Sequence, residues 1–430
     1  MLVALGVDNF GSGLFLPLAL VYVTRAVGLP LGTAGALVSL GTLLGLIAPA
    51  IAGRLVDRLG PKPVIIAAQL LQALGAFAYL LAHSAPVVLL AAAFLAAGQQ
   101  TFYSSLYALI SDVAGSGPRE RPFAIAGMVR SACFGVGGLV VAGVLTAAGP
   151  VALRIAVAAD AASFIACSLL LALFVRLPPR VPSCLPGRSL RRRPGRLLHR
   201  PEGALPGRQA DRHAAREAAR RRVLTDVPFL ALIATTGLAV IAVDFFLAGT
   251  PVYILELLHA RPWLPGTILA VETALTSTSG TLVLHATSRL GRLRAMQLGA
   301  ALYALWCLAT LAALVVPTAL VPAELLLTTV ILAAANLVFG PRAAALAEAA
   351  APPEVRGRYL AAFQYAFTVA GVVAPAVVAL FTVAVWLPWA LVASTAGAAV
   401  VGLGVLAGHL PAAALSPENV GDPGAEIRAA

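Results

Sequence analysis

Charge is the first scarcity. Only 11% of the 430 residues are Asp, Glu, Lys or Arg, while 60% are hydrophobic, and a soluble domain carries roughly 25% charged residues. That shortage excludes a soluble globular protein, because so little charge cannot cover a water-facing surface; the mean hydropathy of +0.92 agrees. Lysine is almost missing: among 30 basic residues Lys62 is the only one, a bias of GC-rich coding that carries no mechanism. Cysteine is sparse as well. Cys133, Cys167 and Cys307 fall inside apolar runs and Cys184 in a polar stretch, so neither a metal-ligand spacing nor a disulfide framework is present. Nucleophile and base constellations and phosphate-cradling loops are missing too, which argues against an enzyme and against any cofactor or bound metal. Gly135-Val136-Gly137-Gly138 is glycine-rich, but it lies within an apolar run with no strand before it and reads as a close helix contact.

What is there is apolar sequence in long pieces. Runs cover residues 2–24, 31–52, 63–82, 86–110, 122–147 and 151–175, then 227–250, 264–286, 294–316, 319–341, 357–384 and 388–409. They are continuous over about 20 residues, the length of a membrane-spanning helix, rather than alternating over about 10 as in a β-barrel. The net charge of +12 does not point to nucleic acid, since the arginines are confined to short segments between runs and suit an anionic membrane face. The run at Leu2 has no basic stretch ahead of it and continues too far for a cleavable signal. We expect a true first span, with an abrupt beginning that fits a natural start further upstream. Placing the even-to-odd loops in the cytoplasm collects Arg54, Arg58, Lys62, Arg119, Arg121, Arg289, Arg292, Arg294, Arg342, Arg356 and Arg358 there and leaves Arg25, Arg154 and Arg261 outside. Both termini are then cytoplasmic.

Gly53-Arg54-Leu55-Val56-Asp57-Arg58-Leu59-Gly60-Pro61-Lys62-Pro63 lies between the second and third runs. Its glycines let two helices approach and the chain turn, Asp57 can cap a helix N-terminus near Arg356 to Tyr359, and Arg58 and Lys62 suit the lipid headgroups. The pattern Gly-x-Leu-x-Asp-Arg-x-Gly-x-Lys resembles the loop signature of the major facilitator superfamily of secondary transporters. That resemblance implies an all-α polytopic membrane protein, 12 transmembrane helices in two pseudo-symmetric six-helix bundles. It also implies that Gly53, Asp57, Arg58, Gly60 and Lys62 form a conformational-switch loop that latches the halves on the cytoplasmic side.

The halves echo one another. Asp57-Arg58-Leu59-Gly60 has a weaker copy in Ser288-Arg289-Leu290-Gly291, and an offset of 237 carries Arg119 to Arg356, Arg121 to Arg358 and Gln99 to Asn336. We therefore expect a bundle over 1–177, a basic cytoplasmic linker over 178–225, a second bundle over 226–410 and a disordered cytoplasmic tail over 411–430. The linker holds Arg191-Arg192-Arg193 and Arg220-Arg221-Arg222 and suits anionic lipid, with a short helix over 211–222. An alternative is that 181–222 is a local out-of-frame translation.

Ionisable residues at membrane depth are costly and point to function: Asp8, Arg130, Asp160, Asp244 and Glu272. A shielded carboxylate can carry a proton across, although Asp160 could instead pair with Arg130 as a structural bridge. Arg154, Glu256 and Glu324 lie near outer ends, where they can snorkel. A cavity lined by spans 1, 4, 7 and 10 would present Asp8, Gln99, Asp244 and Asn336, with Phe102, Tyr103 and Phe245 as aromatic surface. Few fixed charges suit an amphiphilic small-molecule substrate. The leading expectation is a monomeric exporter of drugs or secondary metabolites in the bacterial inner membrane, driven by protons; the alternatives are metabolite uptake or facilitated diffusion, and a non-transporting membrane sensor. Two departures from drug/proton antiporters count against antiport: span 4 offers Gln99 and Gln100 but no arginine, and Gly135 is followed by Val136 instead of proline.

Overall fold

A computed structural model describes residues 1–114, 120–148, 151–175, 225–351 and 356–410. The expected linker, except Thr225, the helix over 211–222 and the tail lie outside the described residues, as do Arg119 and the side chains of Asp57, Arg121, Arg356 and Arg358. The described residues hold twelve apolar segments and no strand.

The first six are α1 (Leu2–Arg25), α2 (Leu31–Gly45 and Ala48–Leu59), α3 (Pro61–Leu80), α4 (Ala85–Ala114), α5 (Glu120–Ala148) and α6 (Val151–Phe174). The second six are α7 (Val227–Leu257), α8 (Leu264–Thr278 and Gly280–Ala286), α9 (Arg292–Leu314), α10 (Val321–Ala350), α11 (Arg356–Phe363 and Tyr365–Thr382) and α12 (Leu387–Leu406). Ten are long and apolar enough to cross a membrane unbroken. The interruptions have local causes. Pro49 opens the second piece of α2, where its missing N–H costs nothing. In α8, Thr276 and Thr278 turn their hydroxyls onto the carbonyls of Glu272 and Ala274 just before the break at Ser279, a back-bonding that bends helices. Gly60, at φ 87°, makes the left-handed turn between α2 and α3 that its place in the loop signature predicts.

Helix packing repeats with a spacing of six. α1 lies against α5 and α6 as α7 lies against α11 and α12; α3 with α4, α2 with α4 and α3 with α6 recur as α9 with α10, α8 with α10 and α9 with α12. The pairs that join the two sets, α2 with α11 and α8 with α5, obey the same rule. Since lipid is as apolar as leucine, close backbone approach must hold such a bundle. α5 supplies it on two faces: Gly137 packs on Phe10 O and Gly13 of α1, while Gly135 faces Thr273 and Gly138 faces Leu269 and Gly266 of α8. Large side chains such as Leu70, Leu74, Leu173, Leu305, Leu308 and Val401 remain exposed along α3, α6, α9 and α12, which is the surface a hydrocarbon solvent calls for.

Two expectations about arginine and acid placement are corrected. Arg342 belongs to α10, which runs nine residues past the expected end at 341, and it is buried with Nη2 donating to Thr287 Oγ1 at 2.6 Å. Glu324 does not snorkel; both its carboxylate oxygens are shielded in the first turn of α10.

Candidate functional site

Two polar constellations interrupt the apolar interior, one in each set of six. In the first, Asp8 Oδ1 accepts from Gln69 Nε2 of α3 at 2.8 Å and Oδ2 from Asn9 Nδ2 at 3.1 Å. Gly11, nearly one turn further along α1, leaves room for α6: a Cβ there would stand 3.1 Å from Asp160 Oδ1 and collide with Ser163 Oγ. Ser163 donates its hydroxyl to Asp160 O at 2.8 Å. Two buried carboxylates thus face one seam between α1 and α6.

Arg130 does not bridge to Asp160. Its guanidinium lies over the Tyr103 ring of α4, 4.7 Å from the centroid, a contact that aromatic faces offer to cations, and its buried Nε has no hydrogen-bond partner.

In the second constellation, Tyr303 of α9 donates to Asn336 Oδ1 at 2.7 Å, and Asn336 Nδ2 of α10 donates to Glu272 Oε1 of α8 at 2.8 Å. Three helices are tied by one relay. Glu272 precedes Thr273, whose side chain packs on Gly135 of α5, so the relay ends beside a contact between the two sets of helices. Asp244, on α7, is half-buried and faces α11, where its Oδ2 would lie 4.0 Å from a Cβ at Gly371. Gln99 is half-buried on α4.

The expected shared cavity surface is not assembled as written. Asp8 is 5% exposed and turned into α3 and α6; Phe102 is 2% exposed in the core around Leu5, Ile65 and Leu106; Phe245 is fully buried against Trp389 and Phe381. An apolar groove of about 570 Å³ does run along α7, α11 and α12, lined by residues such as Ile241, Tyr365, Val369 and Thr395. None of the predicted site residues lines it.

The loop after α2 also differs from expectation at one residue. Lys62 Nζ donates to Ala172 O at 3.0 Å and Val175 O at 2.7 Å, so it closes the carbonyl end of α6, where orphan acceptors and the helix dipole favour a cation, instead of reaching for headgroups. Arg58 is exposed in the last turn of α2. At the opposite end of the bundle Glu256 does not snorkel but pairs with Arg25, Nε to Oε1 at 2.6 Å, while Arg25 Nη2 donates to Leu255 O at 2.5 Å. That acceptor sits in a π-turn, Tyr253–Leu257, just after Pro251.

Sequence reasoning passed over Gln69, Tyr303 and Asp226. Asp226 accepts from Phe229 N at 3.1 Å as the cap of α7 and from Tyr359 OH of α11 at 3.0 Å. Its signal was readable: an aspartate two residues before Pro228 at the opening of an apolar run.

The family model of the Major Facilitator Superfamily matches residues 1–309. The chain belongs to that superfamily. No curated relative matches it. Among solved structures, this facilitator resembles a peptide transporter POT in complex with sulfate, with a TM-score of 0.69 at 14% identity over 95% of this chain and 92% of that one. It also resembles the nucleoside transporter NupG, with a TM-score of 0.63 at 15% identity over 95% and 97%. A POT family transporter in complex with 5-aminolevulinic acid gives 0.66 at 12% identity over 95% of each chain. At such identities the likeness is one of fold.

Proposed function

We propose that this facilitator moves an amphiphilic small molecule by alternating access, its two units being 1–177 and 226–410, with the Lys62 end in the cytoplasm of a bacterial inner membrane. The observation that supports it is where the described residues of the two units meet. Gly35 packs on Pro375 and Ala379, Gly266 on Gly138, and Arg25 on Glu256, all toward the end that carries Arg25, so the two units hinge there and the Lys62 end is the one that opens. The solute then contacts Gln99, Tyr103, Asp244 and Asn336 between the units, with Asp244 and Glu272 as the proton-carrying groups, since a carboxylate shielded from water near a mobile interface can exchange protons with one side at a time. The chain works as a monomer among membrane lipids, and export is the direction its sparse fixed charge suggests.

Uptake is the second reading, favoured by the neighbours' descriptions as peptide and nucleoside transporters. Accumulation of a fluorescent lipophilic cation in expressing cells separates the two. Export predicts lower accumulation in wild type, abolished by an uncoupler and by Asp244→Asn. Equal accumulation in all three rejects export of this probe, and a proton-coupled uptake signal with dipeptides or nucleosides in reconstituted vesicles would establish the second reading.

A further inference from the structure

We propose that the seam between α1, α3 and α6 is a binding site for a hard metal cation, Ca2+ or Na+. The argument is one of donors and acceptors. The hydrogen bonds of the cluster run from Gln69 Nε2 to Asp8 Oδ1, from Asn9 Nδ2 to Asp8 Oδ2 and to Leu5 O, and from Ser163 Oγ to Asp160 O. Two oxygens are left over, buried and without a partner. They are Gln69 Oε1, on a residue with no exposed surface, and Asp160 Oδ1, on a residue 2% exposed. Ser163 Oγ, an acceptor as well as a donor, fills the place a Cβ on Gly11 would take.

A buried oxygen without a donor is destabilising, and a buried charge without compensation is more so. Two such oxygens beside a second carboxylate call for positive charge. The nearby guanidinium of Arg130 lies on the Tyr103 ring and forms no ion pair with Asp8 or Asp160. Carboxylate, amide and hydroxyl oxygens are the ligand set of hard cations and carry no preference for soft metals. Asp8 and Asp160 together neutralise one Ca2+, or hold Na+ with one negative charge to spare. Asp8, Gln69 and Asp160 come from α1, α3 and α6, and Lys62 ties the last two, since it opens α3 and closes α6.

The site is independent of what the protein transports, so equilibrium binding tests it without any solute. Purified full-length protein, stripped with chelator into choline chloride, is titrated with radiolabelled Ca2+ and, separately, Na+, and its thermal unfolding is followed in parallel. Saturable binding of either ion at about one per chain, with a rise in the melting midpoint, is the expected result; which ion binds identifies the cation. Asp160→Asn should weaken binding at least tenfold, as loss of even an outer ligand partner does, and Gln69→Leu, which keeps the carboxylates, guards against a variant that fails to fold. Arg154→Gln, on the exposed start of α6, should bind as wild type. Binding of neither ion above the choline control, or unchanged binding in both Asp160→Asn and Gln69→Leu, overturns the proposal.

Discussion

The two halves share a packing plan and differ in how they treat buried polarity. In the second half the relay Tyr303, Asn336, Glu272 runs donor to acceptor across three helices, and each link is a hydrogen bond of 2.7 or 2.8 Å. In the first half the seam between α1 and α6 holds two carboxylates, and Asp160 Oδ1 and Gln69 Oε1 have no partner. The relay is closed donor to acceptor and acts as a brace; the seam is not closed in that way. A twofold repeat therefore fixes where helices lie without fixing what their interiors demand.

Glycine positions sharpen that contrast and give the largest expected effect. A Cβ at Gly137 would collide with Phe10 O, whereas at Gly371, on α11 facing α7, only Asp244 Oδ2 comes near, at 4.0 Å. Gly137→Leu should be destabilising by roughly 1–3 kcal/mol or more and lower the yield of folded protein by gel filtration. Gly371→Ala should leave yield and melting midpoint unchanged; equal loss in both would mean that the first half is not the more tightly packed. Next comes the brace. Asn336→Ala strands Tyr303 and one oxygen of Glu272 and should cost about 1–3 kcal/mol in detergent unfolding, and Asn336→Asp, which keeps the acceptor for Tyr303 but sets a second carboxylate against Glu272, recovers none of it.

Smaller again is the helix closure by Lys62. Lys62→Met should cost about 0.3–1 kcal/mol, read as faster hydrogen exchange at the last turn of α6, while exchange at α12, whose closing turn has no such lysine, stays as it was. The smallest effect belongs to Arg25 and Glu256, whose side chains are 42% and 25% exposed. A double-mutant cycle should give about 0.2–1 kcal/mol, falling with added salt. Arg25→Ala should exceed Glu256→Ala because it also loses the bond to Leu255 O.

Length and number of helices were legible because a bilayer imposes about 20 apolar residues per crossing, and the loop signature placed the turn at Gly60. Facing was not legible. In a soluble helix the polar side marks water, but in α1, α4 and α7 both the lipid side and the core side are apolar, so no period tells which way Asp8, Phe102 or Phe245 turns. The partners of Lys62 were hidden for a different reason: Ala172 and Val175 receive it through backbone carbonyls, and a carbonyl leaves no mark in sequence. Arg342 misled because an arginine at the end of an apolar run reads as a loop, while here a threonine on α8 receives it inside the bundle.

The joint between the halves is made of Gly35, Gly135, Gly138 and Gly266 lying on backbone and on short side chains. Such a surface works as a plain bearing. At these four glycines no long polar side chain has to leave a pocket and find another when one half tilts against the other; the Arg25–Glu256 pair at the rim is what has to give. Added volume at any of these four positions would act as grit, slowing turnover well before it loosened the fold.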